Sequence, residues 1–233
     1  MSDKTGVIQM AFAGDHAKNY DSARKRMMPI KGALHLCIEA VLADLPEDAR
    51  FLLVGAGTGD ELLALAVMFP HATFTVVEPS PDMMAVCREK AEAAGVAARC
   101  DFHTGFLDSL ADQGPYDAAT SILVSQFCVE RPDRVQFFRE MATRLKPGGF
   151  AITADLSADL ESNNFKQMWP VWAAFQHGAD MPAGMAEKFL AAVGTHLAVA
   201  TEAEMEELLL ESGLKAPVRF FQTLMIHAWF ARR

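Results

Sequence analysis

The stretch Phe51–Ala66, FLLVGAGTGDELLALA, joins a short apolar run to a helical pattern through a glycine-rich turn. The apolar run ends at Val54, three glycines follow at alternate positions, and two acidic residues open the helical pattern. A short run without polar residues is typical of a strand that is buried on both faces of a parallel sheet. The glycines lack a Cβ atom, so a ligand can approach the main chain closely at this turn. The stretch therefore predicts a strand, turn and helix with a ligand site at the turn.

Strand and helix patterns alternate through the middle of the chain, which favours a parallel sheet with helices on both faces. Towards the C-terminus, the Thr201-x-x-Glu204 pattern predicts a capped helix that Gly213 closes. The β-rich segment 216–233 then predicts an antiparallel hairpin without an Asn-Gly or Asp-Gly turn. The strands predicted before that segment are 51–54, 73–77, 98–102, 118–123 and 150–154, and the helices are 30–45, 60–69, 81–94 and 131–145.

We expect one domain with four parts along the chain. These are a helical arm over 1–46, a ligand-binding core over 51–156, a helical cap over 163–197, and a C-terminal helix with a hairpin over 201–233. In the cap, helical segments are expected to break at Pro170, Gly178, Pro182 and Gly184.

The overall charge disfavours two classes of partner. The 233 residues carry a formal charge of −9, so the chain has no general attraction for nucleic acid or an anionic membrane. The four cysteines form no C-x-x-C pair, and no apolar run is long enough to span a bilayer. We therefore expect a cytoplasmic protein, a monomer or homodimer, that acts on a small molecule.

Three kinds of ligand fit a glycine-rich turn after a strand. A Walker loop needs Lys followed by Ser or Thr where this chain has Asp60 and Glu61, and these carboxylates would repel a triphosphate. They would also oppose the pyrophosphate of a dinucleotide, and the Tyr-x-x-x-Lys pair of short-chain dehydrogenases is absent. A cationic nucleoside without phosphate, S-adenosylmethionine, fits better. Glu78, at the end of the second predicted strand, is placed to accept hydrogen bonds from a ribose diol.

Four motifs in this order resemble the class I S-adenosylmethionine-dependent methyltransferases of the small-molecule type. They are VGAGTG, VVEPSPDMM, YDAATSILVSQF and LKPGG, the last read as the turn before the fifth strand, and the resemblance covers roughly 51–156. It implies an α/β fold with a Rossmann-like seven-stranded, mostly parallel sheet, an antiparallel C-terminal hairpin, helices on both faces and a small helical cap. It also implies S-adenosyl-L-methionine as cofactor and methyl transfer to a small-molecule acceptor.

The resemblance implies a cofactor site with two departures from the family pattern. Leu53 stands where the family usually has an acidic residue, so the amino group of the cofactor would be held by the Gly55 carbonyl. No acidic residue follows Gly105 after the third strand, so backbone at Phe106 and Leu107 would recognise the adenine. The implied cofactor residues include Met83, which would pack on the adenine, and Tyr20, which would fold over the cofactor. The others are Gly55, Ala56, Gly57, Gly59, Glu78, Pro79, Phe106, Leu107, Ser121 and Gln126.

The acceptor is expected to lie between the cap and the N-terminal helix. The cap contains an apolar cluster that is either a helix face packed on the sheet or a lid over the acceptor. His177 is a candidate base or else a turn residue, and no metal is expected, since no Asp-Asp-Asn cluster is recognisable. Two alternatives stay open: a carboxy-S-adenosylmethionine synthase with Lys188 as the cation for the extra carboxylate, and a noncatalytic cofactor-binding or interaction module. The cluster consists of Met168, Trp169, Trp172, Phe175 and Met181.

Overall fold

The computed structural model describes residues 14, 20–22, 25–111, 114–177 and 184–233. Its helices and strands follow the predicted alternation. The strands are β1 (Arg50–Val54), β2 (Thr73–Glu78), β3 (Cys100–Thr104), β4 (Tyr116–Ile122), β5 (Leu145–Leu156), β6 (Lys215–Thr223) and β7 (Ile226–Arg232). The helices are α1 (Met28–Val41), α2 (Asp60–Met68), α3 (Pro81–Ala93), α4 (Arg131–Arg144), α5 (Asn163–His177), α6 (Met185–Ala192) and α7 (Glu202–Glu211), with 3-10 turns that include Leu107–Ser109 and Ser125–Phe127.

The strands form one seven-stranded sheet in the order β3-β2-β1-β4-β5-β7-β6. Strands β1 to β5 pair in parallel, and β7 runs antiparallel between β5 and β6. This confirms the predicted fold class. Strand β1 has β2 as its neighbour on one side and β4 on the other, so the direction in which strands are added reverses at β1. This reversal leaves a crevice at the carboxyl ends of the strands.

Alternating side chains of β1 enter two different cores. Phe51 and Leu53 pack in the layer of α1, α2, α3 and α5, whereas Leu52 and Val54 pack in the layer of α4 and α7. Both faces of the strand are therefore buried, which explains why FLLV contains no polar residue.

Several helices and strands begin or end at residues other than those predicted from the sequence. Strand β3 begins at Cys100 instead of residue 98, because residues 97–99 form a 3-10 turn in which Arg99 donates to the carbonyl oxygens of Phe69 and Ala72. Helix α1 ends at Val41, well before Pro46. LKPGG is part of β5 itself, which starts directly after α4.

The predicted break at Pro170 is wrong, because α5 continues through it. Phe165 and Trp172, on either side of this proline, are both buried in the core, and their packing outweighs the local preference to end the helix. The break at Gly184 is confirmed by its positive φ before α6, while Gly178 and Pro182 lie outside the described residues.

The C-terminal predictions are confirmed. Thr201 Oγ1 accepts a hydrogen bond from the Glu204 N–H at 3.3 Å, and the Glu204 carboxylate accepts one from the Thr201 N–H at 2.7 Å. Gly213 follows α7 with φ of 94°, and the hairpin turns at Leu224 with φ of 51°. Among the described residues, none of the helices is long and apolar enough to cross a bilayer.

Candidate functional site

A cavity of about 790 Å³ opens at the carboxyl ends of β1, β2 and β4. This volume is typical of small-molecule sites, and the position is where ligands bind in open α/β sheets. Most of the residues predicted to bind the cofactor lie on its wall, but Gly59 and Ser121 do not. Those on the wall are Gly55, Ala56, Gly57, Glu78, Pro79, Met83, Phe106, Leu107, Gln126 and Tyr20.

The N–H groups of the glycine loop are bonded inside the protein. The N–H groups of Gly55 and Ala56 donate to the Val77 carbonyl oxygen at 2.8 and 3.1 Å. The Gly57 N–H donates to Glu78 Oε2 at 2.9 Å. At these three positions the loop therefore has no spare donor for a phosphate, which is the physical ground for excluding nucleotides here.

The three glycines have different roles. A Cβ atom on Gly55 would lie 2.5 Å from a methyl carbon of Val124, and one on Gly59 would lie 2.8 Å from Cys87 Sγ. These two glycines allow close packing. A Cβ atom on Gly57 would meet nothing within 4 Å, and the residue lies on the cavity wall with φ of 56°. Gly57 is thus the position where a side chain would narrow the space for a ligand.

Glu78 is buried at the edge of this cavity, with 6% of its surface exposed. One carboxylate oxygen accepts from the Gly57 N–H and the other from the Ser80 N–H, each at 2.9 Å. Burial raises the pKa of Glu78, and these two bonds oppose the rise. A carboxylate has about four acceptor positions, so Glu78 can accept further bonds from a ligand.

Residues 20–22 pack against the glycine loop. Asp21 accepts a hydrogen bond from Thr58 Oγ1 at 2.7 Å and forms an ion pair with Lys90 at 2.6 Å. Tyr20 lies on the cavity wall, and the Lys31 ammonium lies 5.7 Å from the centre of its ring. These contacts place Tyr20 beside the loop.

Glu61 is a cavity residue that the sequence did not single out. It follows Asp60 in the first turn of α2, lies on the cavity wall and is 8% exposed. Its Oε1 has no hydrogen-bond partner among the described residues. Burial raises the pKa of Glu61 to about 7, although the nearby Thr120 hydroxyl and the Lys31 ammonium act to lower it. The Thr120 hydroxyl lies close but makes no hydrogen bond of normal geometry.

The neighbouring carboxylate contrasts with Glu61. Burial acts to raise the pKa of Asp60, but the ammonium groups of Lys31 and Lys90, at 2.9 and 2.8 Å, more than offset it and the pKa is lowered. His35 lies on the same wall, and its pKa is lowered by burial first and then by Lys31. Asp60 therefore has fixed partners, and Glu61 does not.

A buried polar network supports the turn after β4. Asp155 is fully buried and accepts from Ser125 Oγ at 2.8 Å and Thr153 Oγ1 at 2.7 Å. Arg134, 2% exposed, lies 3.4 Å from Asp155 and donates to Ser125 Oγ at 2.9 Å. Burial raises the pKa of Asp155, and Arg134 is the main group that opposes this.

Gln126 is held by this network with its amide group on the cavity wall. Its backbone N–H donates to Asp155 at 3.0 Å, and its side-chain oxygen accepts from the Leu156 N–H at 3.0 Å. Because that partner is a donor, the side chain must present its oxygen there, and its NH₂ group must point the other way. In the described part of the chain this NH₂ group has no protein hydrogen-bond partner.

Part of the cavity wall is apolar. Gln176 of α5 lies within it, and its amide nitrogen is 3.7 Å from Met27 Sδ. The apolar side chains of this wall are Met27, Ile122, Val124, Leu156, Trp172 and Ile226.

The sequence and the fold match known methyltransferases. Residues 51–149 match the family model described as a methyltransferase domain. This stretch covers less than half of the chain, and over it the chain is similar to methyltransferase domains. The comparison with curated proteins gave no significant match.

Solved structures share the fold of this chain. One assigned as an O-methyltransferase, from Nostoc punctiforme PCC 73102, aligns with a TM-score of 0.68 at 20% identity over 89% of this chain. An O-methyltransferase family 2 protein from Planctomyces limnophilus DSM 3776, solved with apigenin, gives 0.62 at 18% over 91%. PigF, solved with SAH, gives 0.61 at 17% over 87%. The chain spans 58%, 61% and 56% of the lengths of these three structures.

Not all residues predicted near the acceptor reach the cavity. Trp172 does, but Trp169 packs against Phe189 of α6 with 4.8 Å between ring centres. Lys188 is exposed on α6 and is not part of the cavity wall. The side chain of His177 and the whole of Met181 lie outside the described residues. In the described residues no group of three His, Cys, Asp or Glu side chains could hold a metal ion.

Proposed function

We propose that the methyltransferase domain transfers a methyl group from S-adenosylmethionine to an oxygen of a small acceptor with an apolar body. The observation that carries the proposal is the continuity of one cavity from the glycine loop and Glu78 to the apolar wall around Trp172. The acceptor class is supported by the wall and by Gln126, as argued below.

The residues at the glycine loop fit the cofactor. Gly57 leaves open space where a Cβ atom would stand, and Glu78 retains acceptor positions for two ribose hydroxyls. Met83 and Leu107 are apolar and would cover the adenine. The internally bonded loop suits a nucleoside without phosphate. The carboxylates at this end suit a cation.

The acceptor end fits a small molecule that presents oxygen. Its wall is apolar, which excludes water from the reacting groups. The NH₂ group of Gln126, fixed through Leu156, can donate to an acceptor oxygen and orient it. An amine that must attack through its lone pair gains less from such a donor.

The cofactor supplies the methyl group, bonded to a positively charged sulfur. Transfer of that carbon from sulfur to the acceptor oxygen would leave S-adenosylhomocysteine as a neutral thioether. The hydroxyl proton must also leave. A phenol or enol loses it more easily than an alkanol, so we expect phenolic or enolic acceptors. The complex of one structural neighbour with apigenin supports this class.

Isothermal titration calorimetry with S-adenosylhomocysteine tests the cofactor. Binding with micromolar Kd is expected, and no binding at millimolar ligand would refute the proposal and favour a noncatalytic module. Mass spectrometry of ligand that copurifies with the protein separates the ordinary cofactor from a carboxylated one, which would favour the synthase alternative.

A matched set of aromatic acceptors, with phenol or aniline groups on the same ring system, tests the acceptor atom. Labelled S-adenosylmethionine should transfer its methyl group to phenols. Gln126→Leu should lower kcat/KM for these at least tenfold and leave the S-adenosylhomocysteine affinity within twofold. Gln222→Leu, on exposed β6, is the control. Methylation of anilines alone would refute the assignment of oxygen, and a Gln126→Leu variant as active as wild type would refute the role of Gln126.

A further inference from the structure

Glu61 is a buried carboxylate without a fixed partner on the wall of a ligand cavity. Its Oε1 is fully enclosed and unbonded among the described residues, although Asp60, next to it, is paired with two lysines. Buried polar atoms are nearly always hydrogen-bonded, and an unpaired buried carboxylate lowers stability. Glu61 also lines the cavity, so a ligand in the cavity is a candidate partner for its carboxyl group.

The position of Glu61 relates to the departure at Leu53. Leu53 of β1 pairs in register with Thr120 of β4, and both side chains face the layer of α1 and α2. The Glu61 carboxyl group lies near the Thr120 hydroxyl. The carboxylate that the family pattern places on β1 is therefore missing, and another carboxylate approaches the same strand pair from α2.

The charges around Glu61 favour a cationic partner. The Lys31 ammonium group acts on Glu61, but its Nζ donates to Asp60 at 2.9 Å. The histidine on α1, His35, has its pKa lowered by burial, which favours the neutral ring. Lys31 favours the ionised form of Glu61 only in part, since its ammonium group is bonded to Asp60.

We propose that Glu61 binds the α-ammonium group of the amino-acid tail of the cofactor, in place of the acid that is absent at residue 53. This inference rests on the proposed function. It makes Glu61 a binding residue that distinguishes ligands with the tail from ligands without it. The Gly55 carbonyl remains the second acceptor expected for the same ammonium group.

Two ligands separate this role from a structural one. S-adenosylhomocysteine has the amino-acid tail, and 5′-methylthioadenosine has the same nucleoside and thioether without it. Calorimetry at pH 8 should show that Glu61→Gln weakens S-adenosylhomocysteine binding by about 10- to 100-fold. Its affinity for 5′-methylthioadenosine should stay within twofold of wild type. The variant removes a buried charge, so we expect it to fold, and far-UV circular dichroism checks this.

Glu89→Gln is the matched control. It makes the same change of one charge at an exposed position of α3, outside the cavity wall, and should leave both affinities unchanged. Unaltered S-adenosylhomocysteine affinity in Glu61→Gln, or an equal loss for both ligands, would overturn the role of Glu61 and leave the proposed function standing. Failure of the wild type to bind either ligand would instead refute the proposed function, and this inference with it.

Discussion

Glu61→Gln should make the protein more stable at alkaline pH. Burial raises the pKa of Glu61 from 4.5 to about 7. Between these values the folded state keeps a proton that the unfolded state has lost, so the free energy of unfolding falls as the pH rises through this window. With about 1.4 kcal/mol per pKa unit, the cost to the folded state is about 1 kcal/mol at pH 5.5 and about 3 kcal/mol at pH 8.5. Glutamine cannot ionise and avoids this cost.

Urea unfolding of both proteins at a series of pH values between these limits measures the effect. The free energy of unfolding of Glu61→Gln relative to wild type should increase by about 2 kcal/mol from pH 5.5 to pH 8.5. Glu89→Gln, the exposed control, should show no such trend. A difference between Glu61→Gln and wild type that is constant over this range would show that Glu61 ionises at its ordinary pKa, and the reasoning from its burial would be wrong.

Three further changes test other parts of the site. Glu78→Gln should weaken S-adenosylhomocysteine binding by about 1–3 kcal/mol in calorimetry, and an unchanged affinity would count against its contact with the ribose. Gly57→Val should abolish S-adenosylhomocysteine binding. The control is Gly95→Val, because Gly95 also has a positive φ and open space around it but lies outside the cavity wall. This control should lose similar stability and still bind S-adenosylhomocysteine. Arg134→Ala should lower the free energy of unfolding by about 3–5 kcal/mol, because Asp155 stays buried without its ion partner. Adding Asp155→Asn should recover part of this lost stability, and denaturant unfolding measures both changes.

The sequence predicted the sheet because its signals are local. The run that ends at Val54 must be apolar on both faces, and the capping pattern at Thr201 defines a helix start by itself. Local signals failed at Pro170, where the packing of α5 on the core decides the outcome. A propensity-based prediction does not include such distant contacts.

The same distinction applies to the site. Glu78 could be predicted because it ends a strand, and the carboxyl ends of neighbouring parallel strands meet at one edge of the sheet. The orientation of the Gln126 amide depends on the Leu156 N–H, thirty residues later in the chain, and no motif encodes it. Glu61 was visible as a carboxylate beside the glycine loop, but its lack of a partner is a property of the folded chain.

The location of the carboxylate on α2 couples ligand binding to stability. In the protein without ligand, Glu61 is partly protonated near neutral pH because its charged form is buried without a fixed partner. An ammonium group beside it would favour the ionised form, so a ligand with an amino-acid tail removes the cost that burial imposes. Saturation with S-adenosylhomocysteine should therefore stabilise the protein more at pH 8.5 than at pH 5.5, and 5′-methylthioadenosine should not. A carboxylate with a permanent lysine partner, such as Asp60, would bind the same ligand less strongly, because an existing ion pair would have to be broken first.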